Sequence, residues 1–391
     1  MQIEMLVTFQ PRFDTAPAPC LLTNAAAMAA DGSLAGRFMA ALCDEGIAAH
    51  VGNASSQPML LRHGRHRLPV LAESGGYGDT YMTAPHSAYV LYARDELDIM
   101  GVTGVRRLAG EAALFMVDRA LRAIRINRAV HLDNWLLSTS LHGEWDGEDL
   151  GAMRAVLCEA FPDRVIILRT LDEVTCPLLL EAARADGWTL LPARQIWITQ
   201  DMARDWQVRS HVKRDRAALR KSGLSVELAE TLSAADCERI AGLYHRLYHG
   251  RYSGHNPRYT AHFVELAARL GVLRFRVARD SAGRIMAASA MRIAGGVLTV
   301  PMIAYDMDRP QDEALYRIAS YLSAELACEQ GLIHHGSSGA STFKRHRGAV
   351  GVIEYMGVYA RHLPRARQLG LSAFAAFLER TMVPTLMRQG W

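Results

Sequence analysis

Apolar positions along the chain change period several times, and each change marks an element. Alternation from Ile3 to Phe9 predicts a strand, helical spacing from Ser33 to Cys43 a helix, and Met59-Leu-Leu and Leu68-Pro-Val-Leu two short strands. The stretch Ser74-Gly-Gly-Tyr-Gly78 predicts a turn, since its glycines lack the spacing of a phosphate-binding loop. His86 to Leu97 and Val105 to Ile126 carry apolar residues every three or four positions through alanine-rich sequence, so both predict amphipathic helices.

From Val130 the rhythm becomes strand (Val130 to Thr139), helix (Glu148 to Phe161), strand (Val165 to Leu171), helix (Thr175 to Asp186) and strand (Leu190 to Thr199). A polar helix, Arg209 to Ser222, then runs into Gly223, a residue suited to the left-handed C-terminal cap. After it come a strand (Leu224 to Ala229), two helices (Ala234 to Tyr248 and Tyr259 to Leu270) and the hairpin Leu273 to Arg279 with Ile285 to Ile293. The chain goes on with strand Val297 to Ala304, helix Glu313 to Gln330, strand Leu332 to His335, a short helix Thr342 to His346 and strand Val352 to Tyr359. The order from Val297 repeats the order from Val130. This predicts a diverged internal duplication, with Glu148 to Phe161 answering Glu313 to Gln330 and Val165 to Leu171 answering Leu332 to His335.

With 391 residues, half of them hydrophobic, the chain is globular and long enough for two domains. No uncharged apolar run reaches the roughly 20 residues that span a bilayer, and no basic leader precedes the first strand, so a cytoplasmic protein is expected. Six cysteines without a C-x-x-C pair are expected to be buried thiols, neither disulfides nor zinc ligands. Charge divides unevenly: residues 201–391 hold 27 Lys+Arg against 17 Asp+Glu, a net of +10, which leaves −6 for residues 1–200. A basic half suits an anionic ligand such as a CoA phosphate, a nucleotide or tRNA. Lysine occurs only at Lys213, Lys221 and Lys344, so each one is informative.

The succession of strand, two helices, antiparallel hairpin, strand, helix, strand, helix and strand resembles the GNAT acyltransferase fold. Lys213-Arg-Asp-Arg-Ala-Ala-Leu-Arg-Lys221, the hairpin piece Gly283-Arg-Ile-Met-Ala-Ala-Ser289, the helix Leu315 to Leu322 and Gly339-Ala-Ser-Thr-Phe-Lys-Arg-His-Arg-Gly348 are similar to the Fem-type subgroup, whose members often carry two GNAT repeats. The last piece resembles that subgroup's Phe-Lys-x-x-x-Gly signature. The resemblance implies an α/β fold, a mixed α+β sheet in tandem GNAT-like domains. It divides the chain into a diverged N-terminal domain (1–204), a C-terminal acyltransferase domain (205–365) and a terminal helix (366–391).

In such a fold the central strands part to admit substrate, and Pro301 lies within the apolar run Val297 to Ala304, where it removes a ladder hydrogen bond. The backbone N–H groups of Met302 and Ile303 would then polarise the donor carbonyl. Lys344 beside Phe343 would face the cleft, its ammonium neutralising an oxyanion or holding an anionic group, and Arg347, three residues on, would share that face. His335, in the stretch that runs on to Ser338, is placed to accept the amine proton, and Asp306, next to Tyr305 at the end of the proline-bearing strand, is a second base or an amine anchor. Tyr355 is carried over from the superfamily as a donor to the leaving group.

Acetyl-CoA enzymes of this superfamily carry an Arg/Gln-x-x-Gly-x-Gly/Ala loop whose amides hold the pyrophosphate. Both equivalent places here are acidic, Asp306-Met-Asp-Arg-Pro-Gln-Asp-Glu313 and Glu144-Trp-Asp-Gly-Glu-Asp149. The expected activity is N-acyl transfer, moving an acyl or aminoacyl group from a thioester or ester to an amine of a small molecule or peptide. The co-substrate would be acyl-CoA or aminoacyl-tRNA, with no tightly bound cofactor, no metal and no DNA partner. Two alternatives accompany it, a Fem-type aminoacyl-tRNA-dependent transferase and a non-catalytic GNAT-like binding module.

Overall fold

The computed structural model describes residues 18–389, so the strand expected over Ile3 to Phe9 lies outside the described residues. Twelve strands follow in chain order: β1 (Cys20–Leu22), β2 (Gln57–His63), β3 (His66–Ala72), β4 (Ala129–Leu132), β5 (Val165–Leu171), β6 (Thr189–Thr199), β7 (Ser225–Ala229), β8 (Arg274–Arg279), β9 (Ile285–Ala294), β10 (Val297–Tyr305), β11 (Ile333–His335) and β12 (Val350–Tyr359). They form one sheet in the order β1-β2-β3-β4-β5-β12-β6-β11-β10-β9-β8-β7.

That order is a duplication with an exchange. In each half four antiparallel strands end on a parallel pair, β4 with β5 and β10 with β11, and each pair is joined through a helix, Leu150–Ala160 or Leu315–Glu329. The last strand of each half then crosses to the other: β6 pairs with β11, β12 pairs with β5, and β6 and β12 pair antiparallel at the centre. The expected correspondence of the two helices and of β5 with β11 is therefore visible in the topology.

Local chemistry accounts for the elements. In Leu315–Glu329 the residues Leu315, Ile318, Ala319, Leu322 and Leu326 are all buried, the three- and four-residue stripe that lays a helix on a sheet. The helix Ser210–Ser222 ends at Gly223 with φ 67°, and Ser233 with Asp236 forms a capping box at the start of Ala234–Arg251. The largest core cluster joins both halves: Phe38 and Met39 from the first meet Phe263, Phe275 and Tyr244 from the second.

Two expectations change. The strand expected from Val130 to Thr139 stops at Leu132. From there Asp133 and Leu136 take left-handed backbone (φ 52° and 56°), and the Asp133 carboxylate accepts from Trp135 Nε1 (2.9 Å) and His142 Nδ1 (2.8 Å). Local hydrogen bonding has replaced the ladder, and Trp135, Leu136 and Leu137 are buried in the core cluster instead. The cysteines are all free, but only Cys176 and Cys237 are buried, Cys20 being exposed and the other three intermediate. Residues 73–128, which hold the helices Tyr92–Ile99 and Gly104–Ala123, form an insertion between β3 and β4 without a counterpart in the second half.

The short helix Ser341–Arg345 is seated by Gly348. This glycine has φ 89°, and a Cβ there would overlap the carbonyl oxygen of Asp205. Gly348→Ala is expected to lower stability by about 3 kcal/mol through backbone strain and overlap. Urea unfolding checks this, and an unchanged midpoint would remove the packing role.

Candidate functional site

β10 and β11 are in register only over Val297 to Thr299, with Thr299 opposite His335. On its other side β10 is bulged against β9 between Thr299 and Met302, around Pro301. From Val300 to Tyr305 the edge of β10 that would face β11 therefore has no strand partner among the described residues, a split sheet where the proline predicts one. Met302 within this stretch is buried and Ile303 half-buried. The same place in the first half is closed, because the segment after β4 packs along β5: Thr170 Oγ1 donates to Ser140 O (2.6 Å), and His142 Nε2 bonds Arg169 O (2.9 Å).

β11 ends as soon as it begins, and the loop after it curls back on β6. Gly336 N donates to Trp197 O (2.8 Å), Trp197 N donates to Ser337 O (3.0 Å), and Ser337, Gly339 and Ala340 all have positive φ. The curl turns two carbonyls inward, and Lys344 Nζ donates to Ser338 O (2.7 Å) and Ser337 O (3.3 Å). One ammonium N–H remains. The residue keeps partial solvent exposure, but its amine lies deep, and burial together with the nearby Arg194 guanidinium brings its pKa down to about 7. Phe343 on the same helix packs its ring 5.0 Å from that of Tyr316, which lies 5.7 Å from that of Tyr305 at the end of β10.

The floor beside Lys344 is a buried ion pair across the central strands. Arg194 on β6 donates Nε to Glu354 Oε1 (2.8 Å) and NH2 to Glu354 Oε2 (3.0 Å), and NH2 also reaches Ser138 O (2.8 Å). His335, 1% exposed, accepts from Ser337 N at Nδ1 (3.1 Å), so its proton sits on Nε2, which has no hydrogen-bond partner among the described residues. Burial pulls its pKa down to about 4, with Asp172 opposing and Arg194 assisting, and burial brings His334, beside Lys344, down to about 3. Both imidazoles are neutral at physiological pH, and His335 is a donor there.

Tyrosines from both halves gather beside this floor. Tyr92, from the insertion, has Arg194 among its charged neighbours and lies with its ring 5.5 Å from that of Tyr81. Tyr248 comes from the helix Ala234–Arg251 and Tyr252 from its C-terminal cap, with 6.0 Å between the rings. Burial raises the pKa of Tyr316 to about 12 and pushes Tyr92 and Tyr248 higher still, so these hydroxyls stay protonated.

Of the residues picked from sequence, Lys344, Phe343, Ser338, His335, Tyr305, Met302 and Ile303 gather at the split. The others go elsewhere. Arg347 grips the buried Asp215 (Nε 2.6 Å, NH2 3.0 Å), which also holds Arg317 (2.7 Å), and it stacks 3.3 Å over the Phe343 ring. Its guanidinium locks the Lys344 helix to the helix Ser210–Ser222. Asp306 accepts from Arg239 NH2 (2.7 Å) and Asp308 N (3.1 Å), and although burial works to raise its pKa, the bond from Arg239 and its charge hold it lowered. It is a structural carboxylate and a poor base. Tyr355 packs with the cluster around Trp188, and its charged neighbours are Glu379, Glu173 and Arg184, on the face of β12 opposite Glu354.

Arg194, Glu354, Asp215 and Tyr92 were not singled out from sequence. Only the tyrosines left a trace, Tyr244, Tyr248 and Tyr252 recurring every four residues on one helical face.

Comparison with known proteins now bears on this geometry. Residues 207–345 match the family model described as an acetyltransferase (GNAT) domain, a span from the helix Ser210–Ser222 to Lys344. No curated protein matches the chain. Similar solved structures include L-PGS from Bacillus licheniformis (10% identity, TM-score 0.44, covering 63% of this chain and 82% of that one). FemX (11%, 0.41, 57% and 79%) and a tandem GNAT protein from the clavulanic acid biosynthesis pathway (12%, 0.35, 60% and 76%) are also similar. The family match places an acetyltransferase (GNAT) domain in the second half of the sheet, and the first half repeats the strand plan of that half. The open cleft belongs to the second half.

Lys344 makes a linkage prediction. Its folded pKa of about 7 lies below the ordinary 10.5, so between those values the unfolded chain binds more protons and stability rises with pH. The penalty is full below pH 7 and absent above 10.5. Lys344→Met is expected to remove this rise in urea unfolding followed from pH 7 to 10.5, and a difference curve that stays flat would show that the amine is not desolvated.

Proposed function

We propose that the second-half cleft transfers an acyl or aminoacyl group from an activated thioester or ester to an amine, with Lys344 stabilising the oxyanion. The observation that carries this reading is the Lys344 ammonium, anchored by two carbonyls with one N–H left over, next to a strand edge with no partner. The acceptor nitrogen attacks the acyl carbon, its C=O electrons move onto oxygen, and the Lys344 N–H with an amide on the open edge of β10, that of Ile303, receives the charge, the Met302 amide having the parity that pairs with β9. Collapse expels the thiolate or alkoxide, which takes up a proton as the acceptor loses one. His335 Nε2–H supports a donor role beside the oxyanion, in place of the base expected from sequence. The tyrosines supply apolar walls with protonated hydroxyls for the acceptor, a small-molecule or peptide amine.

The acidic loop does not suit an ordinary pyrophosphate cradle. Asp306, Asp308 and Glu313 are paired there with Arg239, Arg246 and Arg309, so the cations beside the loop are already committed to its carboxylates. The donor's phosphates fit better in an open groove of about 540 Å³ lined by His245, Arg246, His249, Arg251 and Arg258. Tyr305 has Arg251 as its neighbour, so the groove reaches the end of β10. An aminoacyl-tRNA is favoured over acyl-CoA by this cationic strip and by the +10 charge of the second half.

Binding of charged tRNA and of acetyl-CoA across a salt series tests the donor: tRNA affinity is expected to fall steeply with salt. Preference for acetyl-CoA would reverse the assignment, and binding of neither would favour a non-catalytic module. Lys344→Ala is expected to lower kcat/KM at least about tenfold, and wild-type activity is expected to decline as pH rises through the Lys344 pKa of about 7. A rise through that pH would make the neutral amine a base and overturn the oxyanion role.

A further inference from the structure

Outside the cleft, three side chains from both halves converge at a place the acyl transfer does not use. Glu45 caps the C-terminus of the helix Leu34–Asp44, His50 ends the turn Ile47–His50, and His262 stands in the first turn of the helix Ala261–Leu270. Each offers one ligand atom, and the three atoms lie within 4.8 Å of one another.

The backbone beneath them is fixed. Thr260 N donates to His50 O (3.0 Å), Thr260 Oγ1 donates to Ala49 O (2.7 Å), and Val51 makes an antiparallel bridge with Tyr259. The His50 and His262 rings stack with centroids 4.6 Å apart. Glu45 Oε2 contacts His262 Nε2 and lies 3.2 Å from His50 Nε2.

His50 carries the argument. It is 0% exposed, yet among the described residues neither ring nitrogen has a hydrogen-bond partner, because the contact with Glu45 is not aligned for one. A buried polar atom left unpaired is destabilising. A lone pair on Nε2 directed at a cation would remove that penalty. Ligands at bond lengths of about 2.05 Å in a tetrahedron sit about 3.3 Å apart, close to the His50–Glu45 separation.

We propose that Glu45, His50 and His262 bind one divalent transition-metal ion, Zn²⁺ being the best match to two imidazoles and a carboxylate, with water in the fourth position. Because Glu45 and His50 belong to the first half and His262 to the second, the ion acts as a clasp between them. Entry is from the solvent side, where Glu45 and His262 are exposed.

The test uses the full chain freed of metal with a chelator and titrated with Co²⁺ alone, then with Zn²⁺ as competitor. One Co²⁺ per chain is expected, with visible d–d absorption of low coordination number that Zn²⁺ displaces, and the bound ion is expected to raise the thermal midpoint. His262→Gln changes an exposed residue and is expected to melt with the wild type in chelator, to bind Co²⁺ at least tenfold more weakly and to lose the thermal gain. Glu45→Gln should behave likewise and decides the matter if His262→Gln folds poorly. No uptake by the wild type, or equal affinity in a folded variant, would overturn the site.

Discussion

The pairing of β6 with β12 is the constraint on which the rest of this structure depends. Each strand closes the half of the sheet it does not belong to, so neither half completes its sheet without the other. The exchange also sets the shape of the cleft. β11 is three residues long and is held on one side by β6, so it cannot follow β10 beyond Thr299, and the parallel pair must open there. The first half has the same strand plan but a longer β5, paired with β12 as far as Leu171, and the segment after β4 closes its opening with buried side chains. Duplication produced two clefts by topology, and packing left one of them open.

What could be read in the sequence follows from how far each signal reaches along the chain. The buried stripe of Leu315–Glu329, the cap at Gly223 and the strand interruption at Pro301 are set by neighbours within one or two turns, and their periodicity or backbone chemistry survives in the string. The Phe343-Lys344 pair was legible as a family marker. Its partners were not: Arg194 meets Glu354 across 160 positions, and Arg347 meets Asp215 across 132. Tyr355 lies one residue from Glu354, and in a strand one residue exchanges one face for the other, so its charged neighbours are Glu379, Glu173 and Arg184. The strand plan of the first half was hidden because the insertion between β3 and β4 separates its hairpin from its parallel pair.

Arg347 shows how one side chain can fix a short helix. Its guanidinium lies on the Phe343 ring, donates to the Phe343 carbonyl (2.9 Å) and holds Asp215 in a two-pronged bond, so a five-residue helix that could not persist alone is fixed from three directions. Gly348 supplies a fourth by letting the turn lie against Asp205. The rigidity passes directly to Lys344, whose amine would otherwise have four rotatable bonds over which to lose its aim.

The electrostatics of the floor then define what the cleft prefers to hold. Glu354 is committed to Arg194 by two hydrogen bonds, and Arg169, buried nearby with its pKa lowered by desolvation and by Arg194, adds another cation. Lys344 therefore lies beside a carboxylate that is already neutralised, and burial with the Arg194 charge makes its proton easy to lose. A group that forms a negative charge within reach reverses that balance: the ammonium gains a partner, and its desolvation is offset at the moment the charge appears. A neutral ground-state carbonyl gains far less from the same contact. In the proposed oxyanion role, the cost of keeping Lys344 half-buried is carried by the resting protein and relieved in the tetrahedral species, so the depressed pKa and the open strand edge serve the same step.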